Sequence, residues 1–171
     1  MIKILRTSLP GVLLIKRKLA KDHRGFYAEV YNRQEYFKKG IGVNFIEDDF
    51  SCSKFNVLRG LHGDKKTWKL ISCPFGKIFL AVVNYDSNSP FYCKSETFIL
   101  TPENKLQVLI PPLYINGHYI MSREGGIFHY KQSEYYKGVK YQFSEKWDDS
   151  RFKIKWPFKG KPILSKRDGV T

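Results

Sequence analysis

The 171-residue chain lacks most of the short patterns that announce a function by themselves. Its three cysteines, Cys52, Cys73 and Cys93, lie far apart with no CxxC pair. That spacing gives neither a disulfide framework nor a zinc site, and it fits a reducing cytoplasm. The four histidines, His23, His62, His118 and His129, form no H-x-H or H-x-x-x-H pair, so no bound metal is expected. No G-x-G-x-x-G follows a strand and no P-loop occurs, which removes nucleotide binding through a glycine-rich turn at a helix start. A G-x-S-x-G elbow is also missing. Long apolar runs are absent: the patch in "MIKILRTSLPGVLLIKRK" is broken by Pro10, Gly11 and interspersed charges. Neither a signal peptide nor a membrane span is expected from it.

Negative charge is scarce, with 16 Asp and Glu against 30 Lys and Arg, for a net charge of +14. Such a balance first suggests nucleic acid. The pattern argues otherwise, because the lysines are scattered singly or in pairs (Lys38-Lys39, Lys65-Lys66), with no basic helix and no arginine-rich run. Lysine also far outnumbers arginine, the residue that supplies most bidentate base contacts. The expectation is a solvated basic surface that steers a small anionic substrate, with no nucleic acid partner. An RNA-binding protein would instead show strongly salt-sensitive binding to mixed oligonucleotides.

What is present is hydrophobic and aromatic: 42% and 16% of the residues, enough for a packed core in one domain spanning 1–171. Short apolar segments alternate with turns. "GVLLIKRK" reads as a strand, "KDHRG" as a loop and "FYAEVYN" as the next strand. Asn32 with Glu35 three places on resembles an N-terminal cap, so "RQEYFKK" is read as a short helix stopped by Gly40. Further strands are read in "VNFIEDDFSCS", "NVLRGLH", "WKLISC", "KIFLAVVNYD", "SETFIL", "LQVLIPP", "HYIMS" and "IFHYKQSEYY". "FGK", "DSNSP", "TPENK", "PPLYING" and "REGG" are read as the turns between them. "IFLAVV" is apolar without alternation, as in a strand covered on both faces. So many strands at regular spacing indicate a sandwich or barrel, not βαβ units. The tail from Lys137 to Thr171, rich in Trp and Lys, is expected to wrap the sheet.

The stretch "VLRGLHGDKKTWKL", Val57 to Leu70, is where chemistry enters. It begins and ends as an apolar strand yet carries Arg59, His62 and Lys69. If Gly60 marks a bulge, Arg59 and His62 face one cavity despite their opposite parity. His62 is then a candidate base and Lys69 a fixed positive charge for a developing oxyanion. From spacing alone, a satisfied core histidine among exposed basic residues is the better account of the stretch.

Beyond that stretch, "LPGVLLIKRKLAKDHRGFYAEVYN", "VLRGLH", "LTPENKLQVLIPP", "HYKQSEYY", "KWDDSRFKIKWP" and "PILSKRD" occur in the order and spacing of the dTDP-4-dehydrorhamnose 3,5-epimerase family. The resemblance runs from Leu9 to Asp168. It implies an all-β, cupin-type jelly roll (a double-stranded β-helix) with a few short helices, needing no cofactor or metal and usually homodimeric. The implied activity is inversion of C3 and C5 of a nucleotide-linked 4-keto-6-deoxy sugar, which places the protein in surface-polysaccharide biosynthesis. By the resemblance, His62 is the base, Asp168 orients and polarises it, Lys69 holds the C4 oxygen, and Tyr130 donates the proton from the opposite face. Arg59 and Arg24 resemble the diphosphate-binding arginines, with Phe26, Glu29, Ser51 and Tyr136 lining the nucleotide side.

Three departures from the family pattern bear on specificity. "GDKKTW", between His62 and Lys69, is shorter than the usual family loop. "PPLYING" followed by His118 stands where the family has "PPGFAHGF", so Asn116 replaces the usual histidine, and His118 is read as structural. "EDDFS" replaces "QDNHS" and brings Glu47 and Asp49. A carboxylate can accept from the N–H donors of guanine, whereas thymine has no equivalent pair. The substrate is therefore expected to be a dTDP- or GDP-linked sugar, a hexose or a heptose, inverted at C3, C5 or both. A C3-only epimerase of a GDP-4-keto-6-deoxy-heptose, a 3,4-ketoisomerase and a non-catalytic sugar-nucleotide binding module remain as alternatives. A ketoisomerase would move the carbonyl, and a binding module would have no turnover to lose on His62→Asn.

Overall fold

In the computed structural model, which describes residues 2–170, the alternating apolar segments pair into two facing antiparallel sheets. The chain opens with β1 (Lys3–Arg6), β2 (Leu13–Lys16), a small hairpin of β3 (Ala20–Asp22) and β4 (Gly25–Tyr27), and α1 (Arg33–Lys38). There follow β5 (Glu47–Ser53), β6 (Leu58–Gly63), β7 (Lys69–Phe75), β8 (Ile78–Asn84), β9 (Ser95–Leu100), β10 (Leu106–Ile110), β11 (Tyr114–Ile120) and β12 (Gly126–Gln132). The two-residue β13 (Phe143–Ser144) and α2 (Lys166–Val170) belong to the tail. One sheet has the order β1-β2-β10-β7-β12-β5, the other β13-β6-β11-β8-β9. This is the all-β, cupin-type architecture expected from the sequence.

Alternation along the strands builds the core. Ile71, Val108 and Ile110 of the first sheet meet Leu80, Val82 and Leu100 of the second, each almost wholly buried. Burying one such side chain contributes roughly 1.5–3 kcal/mol. Each sheet is also covered on its outside. Tyr36 of α1 and Ile41 pack on Ile15, Leu70 and Leu109. On the other side Trp147, Trp156, Phe158 and Leu164 of the tail pack against Leu58, Phe79 and Tyr119, while Phe152 packs on Leu61, Val83 and Ile115. Covered on both faces, β8 and β11 bury every residue, which is why "IFLAVV" shows no alternation. The Asn32 side chain accepts from the Glu35 backbone N–H at 3.2 Å and starts α1 as its spacing predicts. No helix among the described residues is long and apolar enough to cross a membrane.

Some element readings change. "KDHRG" is not simply a loop, since Ala20–Asp22 pairs with Gly25–Tyr27. The strand read through "FYAEVYN" stops at Tyr27, where the chain leaves the hairpin to cover the sheet. "PPLYING" is a turn only as far as Leu113, which has φ +65°. Tyr114 to Gly117 already belong to β11, held by pairing to β8 on one side and β6 on the other. β1, unread in the sequence, is ordered by pairing with β2.

Candidate active site

A cavity of about 340 Å³ opens between the sheets. β6 supplies Arg59 and His62, β7 Lys69, β11 Asn116 and His118, β12 Phe128, Tyr130 and Gln132, and β5 Phe50 and Ser51. Tyr136, just before the tail, and Gln142, Ser165, Arg167 and Asp168 of the tail close it. The parity problem at Arg59 and His62 is solved by a bulge. Asn116 pairs with His62 and His118 with Arg59, so Gly60 and Leu61 together oppose Gly117 alone. Gly60 has φ +111°, and a Cβ there would fall 2.6 Å from Gly117 Cα and 2.7 Å from the Asn116 carbonyl oxygen. Only glycine fits.

His62 Nε2 lies 2.7 Å from Asp168 Oδ1. Asp168 is 4% exposed, and its other oxygen accepts from Ser165 Oγ at 2.9 Å. Burial by itself would raise this carboxyl. The neighbouring His62 ring, Ser165 and the Gly60 N–H outweigh burial and hold it below the usual carboxylate range. Asp168 is thus ionised at neutral pH and fixes an Nε2–H tautomer on His62, leaving the Nδ1 lone pair free to take a proton.

Lys69 Nζ stands 3.5 Å from Asn116 Oδ1. Burial lowers its pKa from the usual lysine value, with the Asp64 carboxylate opposing the shift and the positive Arg167 adding to it. Tyr130, on the opposite sheet from His62, is pushed up to about 12 by burial and by the carboxylates of Asp49 and Glu47. It therefore stays protonated as a phenol. His118 stacks flat on Phe128 at 3.9 Å between centroids, and burial with the charges of Arg59 and His62 drives it down to about 3. It is a neutral, packed ring. Arg59 Nε donates to Ser53 Oγ at 3.0 Å, and the Arg167 guanidinium is tied to Ser144 and Gln142.

Of the residues singled out in the sequence, His62, Lys69, Tyr130, Asp168, Ser51, Arg59, Asn116 and Tyr136 all line this cavity. Glu47 and Asp49, on β5, do not line the cavity themselves but touch residues that do. Glu47 accepts from the Tyr136 backbone N–H at 3.1 Å and from Gln132, and Asp49 accepts from Gln132 at 3.1 Å. Burial and the Glu47 carboxyl raise Asp49 above the usual carboxylate range. Arg24, Phe26 and Glu29 are not brought to this cavity within one chain. Arg24 sits on the tip of the outward-pointing hairpin, 79% exposed, paired with Asp22 at 2.6 Å. Phe26 and Glu29 line a different pocket on the outer face of the first sheet. Gln132, Gln142, Phe128 and Arg167 were not read as site residues. Only Arg167, beside Asp168 in "SKRD", carried a signal by adjacency; the others depend on strand register.

An imidazole held by a carboxylate, a lysine amine and a phenol on the facing sheet make a constellation that can move protons, as in an isomerase of the epimerase class. The model of the dTDP-4-dehydrorhamnose 3,5-epimerase family matches residues 6–171, and the chain belongs to that family. It is 38% identical to the dTDP-4-dehydrorhamnose 3,5-epimerase of Salmonella typhimurium over 100% of this chain and 94% of that one. It is 34% identical to the Escherichia coli enzyme of the same name, over 96% and 90%. Among solved structures it resembles the Legionella pneumophila dTDP-6-deoxy-D-glucose-3,5-epimerase in complex with dTDP-4-keto-L-rhamnose. That match has a TM-score of 0.93 and 32% identity, covering 99% of this chain and 91% of that one. The Bacillus anthracis dTDP-4-dehydrorhamnose 3,5-epimerase with TDP and PPi bound gives a TM-score of 0.92 at 30% identity, covering 99% and 98%.

Proposed function

We propose that this nucleotide-sugar epimerase inverts carbon centres beside the ketone of an NDP-linked 4-keto-6-deoxy sugar, with His62, Lys69, Tyr130 and Asp168 as its working residues. The observation that carries the reading is the meeting of all four in one cavity, His62 and Tyr130 on facing sheets. His62 Nδ1 removes a proton from the carbon next to C4, and the bond electrons move into the carbonyl to give an enolate. Lys69 donates to the enolate oxygen; one such preorganised donor is typically worth about 3–4 kcal/mol of barrier. Asp168 stabilises the imidazolium. Tyr130 returns a proton to the opposite face of the carbon, and its high pKa keeps that proton available. Proton NMR of product formed in deuterated water tests this. Deuterium at C3 or C5 is expected, its position tells whether one or both centres react, and an intact fold with no exchange at either carbon overturns the reading.

The nucleotide completes the site at its outer end, where Arg59 meets the diphosphate and the exposed Tyr136 ring offers a face to the base. The named relatives support a dTDP-linked sugar. A second reading, GDP, rests on Glu47 and Asp49. They stand close enough that Glu47 raises the Asp49 pKa, and two adjacent acceptors fit the paired N–H donors of guanine. Calorimetric titration with dTDP and GDP side by side decides, since tighter dTDP binding removes the guanine reading. The working form is a homodimer in which the hairpin of one copy, with Arg24, Phe26 and Glu29 behind it, reaches the nucleotide end of the other. The hairpin's exposure supports this, with Tyr27 72% accessible in the single chain. Mixing Arg24→Ala with His62→Asn protein should then restore activity that neither has alone. The three cysteines are unpaired, which suits a cytoplasmic enzyme.

A further inference from the structure

Behind the catalytic sheet lies a second pocket, larger than the first at about 700 Å³. Its floor is the outer face of the six-stranded sheet: Arg17 just past β2, Ser72 of β7, His129 and Lys131 of β12, Asp48 of β5. The stretch from Phe26 to Tyr31 forms its wall. Because neighbours on a strand point to opposite faces, Tyr130 enters the reaction cavity while His129 and Lys131 enter this one.

Arg17 is the anomaly. It is only 7% exposed, yet its Nε and Nη1 have no hydrogen-bond partner among the described residues. A guanidinium does not lose its proton, so a buried one with two of its nitrogens unpartnered calls for an anion. Both carboxylates of the pocket are engaged elsewhere. Asp48 contacts His129 Nε2 at 2.6 Å and is paired with Lys131, and Glu29 accepts from Asn32 Nδ2 at 3.1 Å. Burial accordingly lowers the Arg17 pKa below the ordinary arginine value. Next to it, Ser72 Oγ is 2.8 Å from His129 Nδ1. Ser72, His129 and Asp48 form the relay of a nucleophilic site, but Ser72 sits in mid-strand and is 2% exposed, leaving no room for an acyl group on its oxygen. The relay serves to fix the imidazole and the hydroxyl. The rest of the lining is apolar and aromatic, with Phe26, Val30, Tyr31, Pro74 and Pro102.

We propose that this outer pocket binds a small organic phosphate, its phosphoryl group held by Arg17 with Ser72 and Lys131 and its apolar body against Val30 and Tyr31. The site is separate from the substrate cavity, and its wall leads directly into the hairpin that carries Arg24. An occupant there would set the position of the hairpin.

Phenyl phosphate is the probe, titrated by calorimetry into the full-length protein. One binding event per chain is expected, weakened about tenfold or more by Arg17→Met and less by Ser72→Ala, and unchanged by Arg59→Met in the reaction cavity. Absence of binding to the wild-type protein overturns the proposal. So does binding that survives Arg17→Met and vanishes with Arg59→Met, since the probe then sits in the substrate cavity. A wild-type protein that ignores the probe, with an Arg17→Met variant that falls from dimer to monomer, assigns the guanidinium to a carboxylate of a second copy and also overturns it. Imidazole NMR of the wild-type protein avoids any folding defect of the variants: phenyl phosphate should shift the His129 ring signals, and a shift confined to His62 counts against the site.

Discussion

The sharpest consequences at the scale of single residues concern protons. His62→Asn should lower kcat by two to four orders of magnitude, roughly the worth of general acid–base catalysis, with the circular dichroism spectrum unchanged. Tyr130→Phe should separate exchange from inversion: the base still works, so solvent deuterium enters the substrate, but the proton returns to the face it left. Inverted product forming at the wild-type rate would remove Tyr130 from the mechanism. His118 and Asp168 govern acid stability. The His118 pKa in the folded protein, about 3, lies below its unfolded value, so the stability it contributes is present above about pH 6.5 and is lost as pH falls toward 3. Urea denaturation between pH 7 and 5 should therefore show a slope that flattens in His118→Phe, by up to about 1.4 kcal/mol per pH unit. Asp168 is depressed as well; its contribution is present above the unfolded carboxylate value and fades as pH falls through the folded one.

At the scale of elements the bulge between β6 and β11 matters most, because it turns Arg59 and His62 to one side. Gly60→Ala would set a methyl group against backbone on both counts and place alanine at positive φ. It should cost about 3 kcal/mol in urea denaturation. Near-wild-type stability would mean that the strand does not need the two glycines in contact. The hairpin β3–β4 teaches the opposite lesson. "KDHRG" looked like a loop because Asp22, Gly25 and the charges around them are turn residues, yet three pairs of backbone partners make it a projecting arm. The start of β11 departs from its local pattern for a related reason. Proline, glycine and asparagine in "PPLYING" signal a turn locally, but strands on both sides of Tyr114–Gly117 impose the ladder.

For the molecule as a whole, the tail and the charge decide behaviour. Phe152 is buried between the tail and Leu61, Val83 and Ile115, and the same tail delivers Asp168 to His62. Phe152→Ala should destabilise by about 3–5 kcal/mol and loosen the His62–Asp168 pair. The net charge of +14 should steer an anionic substrate, so kcat/KM falls with added salt while kcat holds. What the sequence by itself determined was local or patterned: the sandwich from strand alternation, the capped helix from Asn32 and Glu35, and the covered strand in "IFLAVV". Only the tertiary structure decided that Asp168, 106 positions from His62, touches it, that Gln132 and Arg167 share the cavity, and that Arg24 and Phe26 point away from it. Contacts of that kind depend on register and on how a tail closes over a sheet. A one-residue slip in register turns a side chain to the other face without changing the local pattern along the chain.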